Sequence, residues 1–237
     1  MKKRIIHLLL AVMVVSALVL SARSVESISE QKTAMEVTYL PSSEFMKIAS
    51  LGYRNMASDL LWFKAIQYYG GYRQAQNNIA LFSHLADVIT DLDPRFVGAY
   101  KLSALIITED LGDFEEGVRL MEKGLRNNPE DYWLTYEMGF LHYIGGRDYS
   151  EAERYFRQAA SLPGADGRAA RFAADAAKKG GDLETSIILW SEIAENTDDK
   201  YVREMAQKYI EEIEGRLRGD EGDSGGLAGP GMKGNED

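Results

Sequence analysis

The chain has 237 residues and a formal charge of −10, from 37 acidic and 27 basic side chains. That balance argues against a nucleic-acid binder, whose affinity rests on a basic face that neutralises phosphates. The absence of cysteine removes disulfides, thiolate nucleophiles, iron–sulfur clusters and most structural zinc sites. The three histidines, His7, His84 and His142, form no His-x-x-x-His pair, so no helical zinc site and no other cofactor is expected.

The first element reads as an export leader. Met1-Lys2-Lys3-Arg4 precedes the apolar run Ile5 to Leu20, and the basic start is held on the cytoplasmic side while the remainder crosses. The run is slightly longer than the apolar core of a usual cleaved leader and slightly short for a spanning helix. Ala22 is the best small residue for cleavage, but Leu20 then stands at −3, where a small residue is preferred. Residues 1–22 are therefore expected to be an uncleaved signal anchor, with secretion after cleavage as the alternative. The folded part is placed outside the cytoplasm, at the inner membrane of a bacterial periplasm. Residues 23–41 are polar and read as a linker. Residues 219–237 are acidic and Gly-rich with no apolar face, so no packed structure is expected there.

Between these ends, residues 42–218 read as helix throughout. Pro41-Ser42-Ser43 starts a helix carrying Phe45, Met46, Ile48, Ala49, Leu51 and Met56, with a kink at Gly52, and this segment is expected to cap the fold. A degenerate helical pair follows from about Asp59, with Trp62, Ala65, Ile66 and Tyr69, and closes at Pro94. From there two punctuation marks keep one period. Prolines recur at 94, 129 and 163, and Gly112-Asp113, Arg147-Asp148 and Gly181-Asp182 recur with the same spacings of 35 and 34. The Asp of each pair is placed to cap a helix, and each proline to prevent one from continuing. Asp198-Asp199 starts a last helix with Val202, Ala206, Tyr209, Ile213 and Leu217 on one stripe and Glu-to-Arg or Glu-to-Lys pairs outside.

A repeat of this period with Met138-Gly139, Ala152-x3-Phe156, Ala159 and Pro163 resembles the tetratricopeptide repeat (TPR) family. A second copy has Tyr100, Gly117-x3-Met121, Gly124 and Pro129, and a fourth has Ala170, Ala173, Ala174 and Ala177 with Ser186-x3-Trp190. The resemblance covers about residues 59–197. It implies an all-α fold: a right-handed α-solenoid of about four TPR-like helical hairpins, with an N-terminal membrane helix and a C-terminal capping helix. Hairpins of this kind bury too little surface alone and must stack.

The resemblance also implies a concave groove lined by the first helix of each hairpin. Offsets place Trp133, Tyr136, Phe140 and Tyr143 on that inner face, with 3-4-3 spacing along one helical stripe. Thr135, Met138, Gly139 and His142 fall on the neighbouring stripe, toward the second helix. Arg168, Arg171, Lys178 and Lys179 make a basic strip on the next inner face, suited to a partner's carboxylates. His142 and His84 are read as packed core histidines. No nucleophile elbow, P-loop or dinucleotide fingerprint occurs. The expected function is a membrane-tethered scaffold or assembly factor that binds a peptide segment or amphipathic helix of a protein partner, and not an enzyme. The alternatives are a subunit of an envelope enzyme complex and a self-associating spacer.

Overall fold

The computed structural model describes residues 41–75, 79 and 81–219. Among these residues every regular element is a helix. A short helix α1 (Ser43–Ala49) precedes four hairpins. They are α2 (Arg54–Ala75) with α3 (Phe82–Leu92), α4 (Val97–Glu109) with α5 (Phe114–Asn127), α6 (Tyr132–Phe140) with α7 (Tyr149–Ala160), and α8 (Arg168–Gly180) with α9 (Leu183–Asn196). A last helix, α10 (Lys200–Arg218), closes the stack. From α2 onward each helix packs mainly on its neighbours in the chain, while α1 lies against α3. This is the TPR-like arrangement, in which no hairpin stands by itself.

The periodic punctuation marks equivalent corners. Gly112, Arg147 and Gly181 all have positive φ, of 69°, 50° and 88°. In these last three hairpins a left-handed residue ends the first helix, and the Asp that follows caps the second. The Asp113, Asp148 and Asp182 carboxylates accept from the backbone N–H of Glu116, Glu151 and Thr185 at 3.1, 3.1 and 3.0 Å. Asp131 and Asp199 do the same for α6 and α10 at 2.8 Å each. Pro94 and Pro129 each stand two residues beyond a helix and three before the next, and the Asn128 amide donates to the Pro94 carbonyl at 2.8 Å. The Pro163 corner is longer, with five residues from the proline to the start of α8.

Small residues set how closely helices approach. A Cβ on Gly139 of α6 would lie 2.7 Å from the Phe156 ring of α7, and one on Gly124 of α5 would lie 2.9 Å from the Tyr100 ring of α4. Glycine is required at both places because the facing ring occupies the space. The α6 helix runs on into a π-helical turn, Leu141–Gly146, which the repeat pattern does not announce. Gly146 within it lies so close to Phe114 that a Cβ would sit 2.6 Å from the ring.

The interior forms two clusters that meet at α6. Leu134, Met138 and Leu141 join the first, which is built on Phe82, Tyr100, Ile107 and Met121. Tyr132 and Tyr136, on the opposite side of the same helix, join the second, built on Phe156, Phe172, Trp190 and Ile213. In the second cluster the Trp190 ring stacks on Tyr209 of α10 at 4.6 Å and 15°. The last helix thereby buries Ala206, Tyr209 and Ile213. Its outer side carries Lys200–Glu204, Glu212–Arg216 and Glu214–Arg218 ion pairs. Leu217, expected on the buried stripe, is exposed instead.

The N-terminal end departs from expectation. The segment after Ser42 is not one kinked helix: Leu51 and Gly52 both have positive φ, of 49° and 91°, and break it into α1 and α2. Ser42 does cap α1, accepting from the Phe45 N–H at 3.4 Å. The α1 helix has no fully buried residue, so it does not close the fold as a packed cap. Among the described residues no helix is long and apolar enough to cross a membrane. The leader expected over residues 1–22, the linker before Pro41, and the tail after Gly219 lie outside the described residues.

Candidate partner-binding face

The first helices of successive hairpins share one surface, tied together by polar contacts between repeats. At the α2–α4 step the Tyr69 hydroxyl and the Arg73 guanidinium donate to the Asp110 carboxylate at 2.9 and 3.0 Å. At the α4–α6 step Lys101 pairs with Glu137 at 3.6 Å. At the α6–α8 step the Tyr132 hydroxyl donates to Asp166, one residue before the loop glycine that starts α8, at 3.2 Å. The second helices are joined separately, through Arg119–Asp87 and Lys123–Asp91, both at 2.6 Å.

Trp133 is the centre of the first-helix surface. It is 40% exposed, with the Lys101 ammonium 4.9 Å and the Arg168 guanidinium 5.0 Å from its ring. Two cations from two neighbouring helices thus lie over one partly open indole, a geometry that polarises and orients the ring. Arg168 is fixed from behind, since its Nε donates to Asp166 at 2.6 Å. That bond holds the Asp166 carboxyl down at about 2, well below the usual carboxylate range. Leu102, Leu105 and Ile144 add exposed apolar area on α4 and on the π-helical turn.

The other three aromatics of the expected stripe pack between repeats. Tyr136 is 6% exposed and touches the rings of Phe140, Phe156 and Phe172 at 5.1, 5.5 and 6.0 Å. Phe140 meets Phe172 at 4.8 Å and Phe156 at 5.5 Å, edge to face. Tyr143 donates to the buried carboxylate of Asp175 on α8, and Lys179 lies 4.4 Å from its ring. Burial and this carboxylate drive the Tyr143 hydroxyl far above its ordinary pKa. The stripe is one face of α6, but the next hairpin covers most of it. On the neighbouring stripe Thr135, Met138 and Gly139 are all buried, Gly139 against Phe156 of the second helix as expected and Met138 in the cluster of the preceding hairpins.

The basic strip on α8 is similarly divided. Arg168 reaches the open face. Arg171, half-buried, sits close enough to Tyr132 to oppose the rise in its hydroxyl pKa, which burial pushes up to about 12. Lys178 and Lys179 turn to Asp175, at 3.9 and 3.7 Å, and Lys178 also faces Glu212 and the Tyr209 ring. These two lysines hold α8 to its surroundings. They do not extend the face.

His142 packs as expected, stacked on Tyr155 at 5.5 Å and 17° with Phe114 edge-on at 5.6 Å. Its Nδ1 is buried with no hydrogen-bond partner, and burial pushes its pKa down. His84 does not: it is exposed on the outer side of α3. Lys101 and Glu137 are candidates that the repeat pattern does not pick out. The signal for Lys101 is the i,i+4 series Lys101, Leu105, Glu109 along α4, which follows no aromatic marker.

Between α4 and α6 the surface dips into a depression of about 80 Å³, lined by Lys101, Leu105, Glu109, Glu137, Phe140 and Ile144 among others. Small-molecule sites are typically about 300–1,000 Å³, so this dip is suited to a side chain of a larger ligand. Among the described residues no three His, Asp or Glu side chains are grouped to hold a metal ion.

No protein-family model matches the chain, and no curated protein matches it by sequence. Among solved structures, a double mutant of MamA (RS-1 ArsTM) matches at 13% identity with a TM-score of 0.46, over 70% of this chain and 97% of that one. MamA AMB-1 matches at 18% identity with a TM-score of 0.41, over 66% and 91% of the two chains. At those values the likenesses carry no argument about partner or activity.

Proposed function

We propose that this protein is a non-catalytic scaffold, tethered to a membrane by residues 1–22 and working outside the cytoplasm. In this reading it binds a segment of a partner protein on the first-helix face. The observation that carries it is Trp133, partly open and set between Lys101 and Arg168 from the two adjacent hairpins. An indole flanked by cations favours a chain segment that offers an apolar or aromatic side chain beside carboxylates, because rigid aromatic area adds contact at small entropic cost. The dip beside Lys101 and Glu137 is sized for one such side chain. Tethering is supported by the basic start and the apolar run of residues 5–20.

A selection of displayed dodecamer peptides on the full chain tests the reading. Sequences combining Asp or Glu with an aromatic or aliphatic residue are expected to be enriched. Trp133→Ala and Lys101→Ala should each weaken their binding by at least about tenfold, as loss of an interface hot spot does. Both side chains reach solvent, so circular dichroism should show both variants folded, with Trp133→Ala losing about 1 kcal/mol through its edge contacts with Tyr132 and Tyr136. Enrichment of basic peptides, or equal binding by folded variants, would overturn it.

A further inference from the structure

Seven large apolar side chains between Phe45 and Phe63 face solvent: Phe45, Ile48, Leu51, Tyr53, Met56, Leu60 and Phe63 are 58–84% exposed. They fall on α1, on the turn after it and on the outer stripe of α2, where Met56, Leu60 and Phe63 follow helical spacing. The opposite side of α2 packs normally, with Ser58 donating to the Ile89 carbonyl at 3.0 Å and Ala65 buried. Beyond Phe63 the outer stripe turns polar, at Gln67 and Gln74. Exposed apolar surface of this density marks a contact with something.

Charge indicates what that something is. Residues 42–75 hold four basic side chains, Lys47, Arg54, Lys64 and Arg73, against Glu44 and Asp59, a net of +2. Residues 76–219 hold 17 basic and 27 acidic side chains, a net of −10. Lys47 pairs with Glu44 and Arg73 with Asp110. Arg54 and Lys64 have no ion-pair partner among the described residues. The two helices that carry the apolar edge are therefore basic on balance within an acidic chain, with Asp91 of the adjoining α3 set beside Lys47 of α1. This edge is also the end that the apolar run Ile5–Leu20 reaches first. Residues 21–40 between them span at most about 70 Å when fully extended.

We propose that this edge lies on an anionic lipid surface, with the exposed side chains of α1 and α2 at the headgroup boundary and Arg54 and Lys64 among the lipid phosphates. Apolar side chains flanked by Lys and Arg are the features by which a helix lies in the interface plane, and each cation near such a surface strengthens the attraction. The acidic remainder of the fold is repelled by the same surface, which holds the later hairpins away from it. A second copy docked through the same edge would desolvate Arg54 and Lys64 of both copies with only the exposed Asp59 of each to offset them, which leaves unbalanced buried charge. The inference rests on the tethering in the proposed function.

The lack of cysteine gives a clean test with the full chain. Single substitutions Leu51→Cys, Leu60→Cys, Ile188→Cys and Tyr201→Cys, all at exposed positions, are labelled with an environment-sensitive fluorophore. The protein is then reconstituted in phosphatidylcholine vesicles, with or without phosphatidylglycerol, that carry a quencher at headgroup depth. In the anionic vesicles the labels at 51 and 60 are expected to lose about half of their emission, and those at 188 and 201 under about a tenth, as interfacial depth dictates. The contrast should shrink severalfold without phosphatidylglycerol. Equal quenching at all four positions, or quenching indifferent to the anionic lipid, overturns the proposal. So do labels at 51 and 60 that report an apolar setting without lipid quenching, which would indicate a second copy or the chain's own N-terminal segment before Pro41. Flotation separates the two readings: a chain that floats without quenching at 51 and 60 refutes only this inference, and one that does not float refutes the tether as well.

Discussion

The two ends of the helical stack solve the same problem differently. At the C-terminal end α10 stacks Tyr209 on Trp190, buries Ala206 and Ile213, and turns a row of Glu–Arg and Glu–Lys pairs outward. At the N-terminal end α1 buries nothing fully, and α2 turns Met56, Leu60 and Phe63 outward. A stack of hairpins must end somewhere, and a polar outer face is the usual way to end it in water. One end follows that rule. The other leaves its apolar face uncovered among the described residues.

The contrast can be sharpened by mutation. Trp190→Ala removes the fully buried ring that joins α9 to α10, and urea unfolding should show a loss of about 3–5 kcal/mol. A loss under about 1 kcal/mol would mean that the closing helix is held by something other than this core. Burial lowers the folded-state pKa of His142 below its unfolded value, so the unfolded chain binds more protons in the window between the two. Stability should be full above about pH 6.5, the ordinary His value, and decline as pH falls below it. Melting temperature followed from pH 7.5 to 5.5 should therefore drop, and His142→Gln should flatten that slope. A slope unchanged in the variant would assign it to other groups. The smallest effect is expected at the open end, where Phe63→Ser should leave lipid-free stability within about 0.5 kcal/mol. A loss comparable to that of Trp190→Ala would show that the open edge is buried after all, and the comparison would fail.

Corners were legible in the sequence because their causes are local. A left-handed residue, a capping Asp and a helix-stopping Pro act within a few residues of themselves, so Gly112-Asp113, Arg147-Asp148 and Gly181-Asp182 predict the hairpin turns they form. The candidate face was legible only in part. Trp133 and Arg168 stand close together on the first-helix surface. Tyr136, Phe140 and Tyr143 belong to the same stripe as Trp133, yet Phe156 and Phe172 cover them. Nothing in the spacing of α6 states which part of its face the next hairpin overlaps. Lys101 escapes notice for the converse reason: it matters through its approach to the Trp133 ring, which belongs to a different hairpin.

By itself, the sequence determined that there are about four hairpins, where the last three turn and which helix of each is first, since propensity, capping and small-residue spacing are properties of short stretches. Only the tertiary structure decided which apolar residues would be hidden. Periodicity makes a face apolar, but burial requires a partner for that face. The same pattern therefore became core in α10, an inter-repeat packing layer in α6 and an open edge in α2.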